Sequence, residues 1–193
     1  MLNMITLTMP EKNHNNSDRC FTTVHGDLLD IHGFGVLILG PSGIGKSVNA
    51  AELISRGHKL VSDDVVEVFK TDSGLLVGKA PDNIKNLMEI RGVGIINIAE
   101  IFGSASVQDQ REIDMIIDLV RWDSDAGYDR LGIKEEYYNI LGLNLPYKLI
   151  PVGREGNIST IIEIAARNQM ARISKESTNI ENIHGSKSGT KAK

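Results

Sequence analysis

Gly40-Pro41-Ser42-Gly43-Ile44-Gly45-Lys46-Ser47 is the stretch from which the rest of this chain can be interpreted. It fits the pattern G-x-x-x-x-G-K-[ST] in full, whose glycines let the backbone form a nest of N–H donors around phosphate groups. An apolar run precedes it and a helical pattern follows it, which is the strand, loop and helix order that the motif requires. We therefore predict a phosphate-binding loop in which Lys46 reaches the terminal phosphates and Ser47 is placed to hold Mg²⁺.

The residues around this loop predict buried strands and one helix. Asp27 to Ile31 and Val36 to Leu39 are apolar runs bracketed by glycines, which is typical of buried strands. Gly45 to Arg56 predicts a helix that ends before Gly57.

Further along, the pattern favours a sheet with antiparallel members. Lys59 to Val61 and Val65 to Phe69 are strand-like, and a turn at Thr71 to Gly74 leads back into Leu75 to Val77. Because turns as well as helices join successive strands, a mixed sheet is favoured over a doubly wound parallel one.

The second half of the chain carries three more signals. Asn97 followed by Glu100 resembles a capping box for a short helix, Ile98 to Phe102, that stops at Gly103. Ile113 to Val120 alternates as a strand does. Apolar residues at helical spacing predict a helix from about Ser159 to Ile173.

The composition of the chain limits the classes of function that it can have. The chain has 193 residues, 21 Lys and Arg against 25 Asp and Glu, and a single Cys. A net charge of −4 argues against a nucleic-acid partner, because proteins that neutralise phosphates are usually basic. No apolar run is long enough to cross a membrane, and one Cys cannot form a disulfide within the chain, so we expect a cytoplasmic protein.

Three segments are expected. Residues 1–20 are predicted to be an N-terminal arm, 21–173 a phosphate-loop catalytic domain, and 174–193 a flexible tail, because the last stretch has few apolar residues.

An acidic pair, Asp63 and Asp64, follows the third predicted strand. If the strand continues, the two side chains point to opposite faces, so that one faces the metal and phosphates and the other faces elsewhere. Beside a phosphate loop, such carboxylates are candidates for holding a metal or accepting a proton. Glu89 and Arg91 are opposite charges among apolar neighbours, for which a buried salt bridge is the simpler interpretation.

Six segments together resemble the bacterial HPr kinase/phosphorylase family. They occur in the family's order and cover about Phe21 to Asn168: Val24-His25-Gly26, Gly40 to Ser47, Arg56-Gly57-His58 with Asp63-Asp64, Leu87 to Ile96, Tyr128-Asp129-Arg130-Leu131-Gly132, and Ile162 to Ala166. The Glu89-Ile90-Arg91-Gly92 block is more diagnostic than the phosphate loop.

This resemblance implies a fold and an activity. The fold would be mixed α/β, similar to the nucleotide-binding core of phosphoenolpyruvate carboxykinase. The activity would be phosphorylation of a regulatory serine of HPr, the phosphocarrier of the sugar phosphotransferase system, with ATP and Mg²⁺. The reverse reaction would use inorganic phosphate and release pyrophosphate. Family members assemble as hexamers.

The resemblance also implies roles for individual residues, assigned by matching the positions of the family's motifs. Lys46 would neutralise phosphate charge, Ser47 and Glu89 would serve Mg²⁺, and His25 and Arg130 would be active-site residues. The acidic pair would supply the base, for which we favour Asp64 with Asp63 as its neighbour.

Two departures from the family pattern qualify the resemblance. Family members commonly carry an N-terminal domain of more than about a hundred residues, whereas few residues precede His25, so a catalytic domain alone is expected. The stretch Pro151-Val152-Gly153-Arg154-Glu155-Gly156 matches the family's dephosphorylation loop, but Gly156 stands where an arginine is usual, with Arg154 two positions earlier.

Two alternatives stay open at this point. One is a kinase of the same fold that acts on another substrate, since a catalytic loop does not identify a protein substrate. The other is a nucleotide-sensing module that has lost transfer.

Overall fold

A mixed six-stranded sheet forms the centre of the chain in the computed structural model, which describes residues 21–128, 134–153 and 156–185, with side chains through residue 176. Its strand order is β11-β12-β10-β3-β2-β4. The inner strands β3, β10 and β12 are parallel, while β2, β4 and β11 run antiparallel to their neighbours. The prediction of a mixed α/β fold is confirmed. The strands of this sheet are β2 (Asp27–Ile31), β3 (Phe34–Leu39), β4 (Lys59–Ser62), β10 (Met115–Arg121), β11 (Glu136–Ile140) and β12 (Leu143–Val152).

Two smaller antiparallel sheets accompany it. The four-stranded sheet has the order β1-β5-β6-β9, and the pairing of β5 with β6 confirms the predicted hairpin. The remaining two strands, β7 and β8, form a hairpin of their own. The strands of these sheets are β1 (Phe21–His25), β5 (Val65–Lys70), β6 (Leu76–Lys79), β7 (Leu87–Ile90), β8 (Gly94–Asn97) and β9 (Gln110–Glu112).

Three α-helices complete the described part of the chain: α1 (Lys46–Ser55), α2 (Ile98–Phe102) and α3 (Ile158–Gly185). α1 follows the phosphate loop directly and packs with α3 on one face of the large sheet, in a core that includes Leu53 and Ile162. The four-stranded sheet covers the opposite face. Because both faces are covered, β2 and β3 are buried along their whole length.

The cap of α2 is as predicted. The Asn97 side chain accepts hydrogen bonds from the amides of Ala99 and Glu100, and Gly103 has φ 90° where the helix ends. Within the described residues no helix is long and apolar enough to span a membrane.

Two predicted boundaries are wrong. The strand expected over Ile113 to Val120 begins only at Met115, because the chain changes sheets there: the Ile113 amide bonds to Leu76 in the small sheet and the Asp114 amide to Gly35 in the large one. α3 does not end at Ile173 but continues to Gly185. Residues 174–184 contain no Gly or Pro to interrupt helical hydrogen bonding, although few of them are apolar.

Candidate active site

The phosphate loop depends on glycine at its first position. Gly40 has φ 141°, and a Cβ there would lie 2.6 Å from the carbonyl oxygen of Leu119 on the neighbouring strand, so a side chain is excluded. Gly45 has φ 104° and caps α1. Lys46 is the first residue of the helix, is 7% exposed, and donates through Nζ to the Gly40 carbonyl at 3.0 Å. The Lys46 side chain is therefore folded back over the phosphate loop.

The acidic pair lies in a tight turn between β4 and β5. The strand ends at Ser62, the Val65 amide bonds to the Asp63 carbonyl at 2.8 Å, and Asp64 has φ 66°. A positive φ is unfavourable for a residue with a side chain, so the turn holds Asp64 in a strained conformation. The two carboxylates diverge as expected, but the turn rather than strand alternation separates them.

Asp63 is the buried member of the pair and faces the phosphate loop. Its Oδ2 accepts a hydrogen bond from the Glu89 amide at 3.0 Å, and the Ser47 hydroxyl faces the same carboxylate. Burial raises the pKa of Asp63, while the Glu89 amide, the Ser47 hydroxyl and the Lys46 charge oppose that rise. Its Oδ1 is buried with no hydrogen-bond partner among the described residues. A buried carboxylate oxygen without a partner is what a bound cation would satisfy.

Asp64 is the exposed member and pairs with His25. Its Oδ1 lies 3.3 Å from His25 Nδ1, and both side chains are more than half exposed. His25 ends β1 and is paired in register with Val65, which places the imidazole beside the turn. The structure thus brings His25, Asp64, Asp63, Ser47 and Lys46 into one region.

Asp27 is a neighbour that the sequence interpretation missed. It is fully buried at the start of β2, and its Oδ1 accepts the Asp64 amide at 3.1 Å. Burial and the nearby Asp63 charge raise its pKa to about 7, while the Asp64 amide and the Lys46 charge act in the opposite direction. Two aspartates in a short strand of otherwise apolar residues were the available signal, since Asp is almost never fully buried without a partner.

The β7–β8 hairpin brings two further charges to the loop. Glu89 and Arg91 are both exposed, so the interpretation as a buried salt bridge is wrong. The Arg91 guanidinium lies against the phosphate loop, where a Cβ at Gly43 would be 3.4 Å from its Nη2. Arg91 was missed as a site residue because sequence spacing does not show which surface the hairpin covers.

Some predicted residues lie outside the described part of the chain. Arg130 is among them, as are Arg154 and Glu155 of the predicted dephosphorylation loop. Of the rest of that loop, Pro151 and Val152 end β12, Gly153 lies beside the Trp122 ring, and Gly156 has φ 111°. The roles of these residues stay predictions.

A family model described as the HPr serine kinase C-terminal domain matches residues 19–184. The chain belongs to this family. The match includes the phosphate loop, the acidic turn, the β7–β8 hairpin and all but the last residue of α3.

Individual relatives agree with the family match. The chain is 52% identical over 151 residues to the HPr kinase/phosphorylase of Geobacter sulfurreducens, covering 78% of this chain and 47% of that protein. It is 50% identical over 147 residues to the HPr kinase/phosphorylase of a Geobacillus species, with 76% and 47% covered. The chain therefore spans about half the length of these curated relatives.

A solved structure shares the fold. The HPr(Ser) kinase/phosphatase from Coxiella burnetii matches with a TM-score of 0.76 and 33% identity, covering 83% of this chain and 97% of that one.

Proposed function

We propose that this domain is an ATP-dependent protein serine kinase that phosphorylates HPr. The observation that carries the proposal is the convergence of the phosphate loop and the acidic turn: Ser47 faces Asp63, and the Lys46 charge acts on the same carboxylate. Asp64, one residue further, is exposed where a protein substrate can reach it. The names of the relatives support HPr as the substrate.

Asp64 is the proposed general base. The serine hydroxyl of HPr gives its proton to the Asp64 carboxylate as its oxygen bonds to the γ-phosphorus of ATP, and the bond from that phosphorus to the β–γ bridging oxygen breaks. ADP and phosphoserine result. His25, at 3.3 Å, orients the Asp64 carboxylate, while Lys46 offsets negative charge on the phosphates. Arg91 lies beside the loop and is placed to contribute to the same task; Arg130 is proposed from the resemblance.

Mg²⁺ fits the residues present. Ser47, Glu89 and the unpartnered Oδ1 of Asp63 are oxygen donors of the kind this cation prefers, and they would hold it beside the phosphates. When bound, the ion would neutralise phosphate charge.

Phosphorolysis is the proposed reverse reaction. Inorganic phosphate attacks the phosphorus of phosphoserine, the serine oxygen leaves and takes back the proton from Asp64, and pyrophosphate is released. The predicted loop, residues 151–156, is the proposed locus, with Arg154 replacing the arginine expected at Gly156. Phosphate-dependent release of pyrophosphate from phosphorylated HPr is the measurement for this half of the proposal.

The setting of the reaction is proposed from the same resemblance. The proposed location is the cytoplasm, where ATP is available, and the proposed assembly is a homo-hexamer. Sedimentation velocity on the purified chain tests the assembly state.

The test of the proposal is phosphate transfer from labelled ATP to purified HPr, with HPr in which the acceptor serine is alanine as the negative substrate. Asp64→Asn should abolish transfer, because an amide cannot accept the serine proton, while a fluorescent ATP analogue still binds. Asp72→Asn is the matched control, since Asp72 is exposed in the β5–β6 turn, and it should be fully active.

Retained transfer in the Asp64→Asn variant would move the base to Asp63 or elsewhere. Absence of transfer to HPr by the parent protein, with transfer to a protein in a cell lysate, would favour a kinase for another substrate. Binding of ATP with no transfer to any protein would favour a nucleotide-sensing module.

A further inference from the structure

A second cluster of titratable side chains lies at the far end of α1 from the phosphate loop. It consists of His32, in the turn between β2 and β3, His58, just after α1, and Glu163, on the second turn of α3. We call these three residues the His–His–Glu cluster. The ten residues of α1 span about 15 Å, so this cluster is separate from the nucleotide site.

Three ligand atoms of the cluster converge. His32 Nε2 lies 2.9 Å and His58 Nε2 lies 3.7 Å from Glu163 Oε1, and all three atoms are within 4.8 Å of one another. Ligands about 2.0–2.1 Å from a tetrahedral zinc ion lie roughly 3.3 Å apart, so the measured separations bracket the spacing that zinc requires. The imidazole rings of His32 and His58 meet edge to face with centroids 4.4 Å apart, and in each ring Nε2 is the nitrogen paired with the Glu163 carboxylate.

The environment of His58 Nε2 is the observation that points to a bound ligand. The residue is 3% exposed, and its Nε2 is buried with no hydrogen-bond partner among the described residues. A buried polar atom without a partner costs about 1–3 kcal/mol, so it calls for an explanation. A metal ion between the two rings and the carboxylate would satisfy this atom.

The protonation states suit a metal site. Burial, aided by the nearby His32 ring, lowers the pKa of His58 and so favours the neutral imidazole, while Glu163 acts in the opposite direction. The hydrogen bond from His32, with those from Arg167, lowers the pKa of Glu163 to about 2, so its carboxylate is ionised. Neutral imidazole and carboxylate are the forms that bind metal ions.

Two arginines also face this carboxylate. Arg167 donates to Glu163 Oε1 through Nε at 3.2 Å and Nη2 at 3.1 Å, and Arg56 Nη1 lies 3.5 Å from Oε2. They fix the orientation of the carboxylate, as hydrogen-bonding groups around metal ligands commonly do. Their charges also oppose a cation, which favours a moderate rather than a very tight site.

We propose that the His–His–Glu cluster binds a divalent transition-metal ion of the zinc class, with water as the fourth ligand. The His32 side chain is 37% exposed, which gives an ion and its water access from solvent. Because the three ligands come from the β2–β3 turn, the end of α1 and α3, the bound ion joins the sheet to both helices that pack on it. The site is structural rather than catalytic, and it does not depend on the phosphotransfer proposed above.

The test is titration of the whole purified chain with Co²⁺ and then Zn²⁺, without nucleotide and with excess Mg²⁺ to occupy oxygen-donor sites. Co²⁺ should give the visible absorption of a four-coordinate site with one ion per chain, and Zn²⁺ should displace it. Zn²⁺ should also raise the thermal unfolding midpoint.

The variants are chosen so that the fold survives. His32 has φ 56°, a conformation that Asn tolerates, so His32→Asn keeps the turn while removing a ligand. Glu163→Gln is isosteric. Either should weaken Zn²⁺ binding by more than about 100-fold, since even the loss of an outer hydrogen-bond partner weakens metal sites 10- to 100-fold.

His25→Asn is the matched control for Zn²⁺ binding, because it removes a histidine outside the cluster, and it should bind as the parent does. Circular dichroism confirms that each variant is folded. Equal Zn²⁺ affinity in the parent, His32→Asn and Glu163→Gln would overturn the proposal and would assign binding to His14, His184 or Cys20. No tetrahedral Co²⁺ spectrum in the parent would overturn it as well.

Discussion

Two buried aspartates of β2 meet opposite surroundings at the two ends of the same strand. Asp30 is 7% exposed; its Oδ1 accepts the Gly33 amide at 2.7 Å, and Arg111 Nε lies 3.6 Å from its Oδ2. Asp27 is 0% exposed; its Oδ1 accepts the Asp64 amide, but its Oδ2 has no partner among the described residues.

The difference separates a charge-balanced end of the strand from an end that keeps buried carboxylate oxygens without a hydrogen-bond partner among the described residues. Arg111 also lies 3.8 Å from Asp114, whose Oδ2 accepts the Gly35 amide, so charge is balanced at the Asp30 end, although Arg111 Nε has no hydrogen-bond partner among the described residues. At the other end Asp27 and Asp63 each keep a buried carboxylate oxygen that no described residue hydrogen-bonds. Groups left unsatisfied in this way are expected where a protein binds something, because the ligand completes the network.

The largest effect is expected from removing the positive charge of Lys46, which lies near Asp27 and Asp63. Lys46→Met should lower the rate of HPr phosphorylation by roughly 10²–10³-fold or more, because a buried positive charge positioned for the phosphates is lost. Lys59→Met, an exposed lysine of β4, is the matched control and should stay active. Normal activity of the Lys46 variant would mean that this lysine only balances Asp27 and Asp63.

The second effect is on stability and depends on pH. The pKa of Asp27 rises from 3.8 to about 7 on folding, so the parent loses stability as pH rises through this window. At about 1.4 kcal/mol per pKa unit, ionised Asp27 destabilises the fold by on the order of 4 kcal/mol above pH 7. Asp27→Asn should escape this loss and gain stability relative to the parent between pH 4 and pH 8.

Urea unfolding of parent and Asp27→Asn over that pH range, without nucleotide or metal, measures the effect. Asn keeps an oxygen for the Asp64 amide, so the turn should remain intact. Parallel pH profiles for the two proteins would show that Asp27 is ionised in the fold and would remove the contrast with Asp30.

The smallest effect is expected at the balanced end. Arg111→Met leaves Asp30 and Asp114 without their guanidinium and should lower the free energy of unfolding by about 1–3 kcal/mol, with phosphorylation of HPr retained in the folded protein. Arg121→Met is the control, since Arg121 is exposed at the end of β10, and should change stability by less than about 0.5 kcal/mol. Loss of phosphorylation with unchanged stability would contradict the structural role.

The sequence predicted the structural features that depend on contacts between residues close together in the chain. The loop at Gly40 to Ser47, the β5–β6 hairpin and the Asn97 cap each depend on residues a few positions apart, and the structure confirms the backbone expected at each. The catalytic roles assigned to the loop and the acidic turn stay predictions.

Contacts between distant residues were not predictable in this way. Asp27 meets Asp64 across 37 positions, and His32 meets Glu163 across 131. No local sequence pattern predicts either contact, because the order of strands in the sheet and the packing of α3 bring these residues together. α3 beyond Ile173 was missed for a different reason: residues 174–185 have few apolar side chains, so hydrophobic periodicity gives no helix signal there.

The β7–β8 hairpin contacts both the acidic turn and the phosphate loop, the two parts of the proposed nucleotide site. Its Glu89 amide bonds to Asp63, and its Arg91 lies on Gly43, while Val93 and Ile95 near its turn are more than 70% exposed. Displacing the hairpin outward by an ångström or two would withdraw both contacts together. A compound bound to those two apolar side chains would therefore act on the proposed phosphate-binding site without occupying it, and would not compete with a nucleotide bound there.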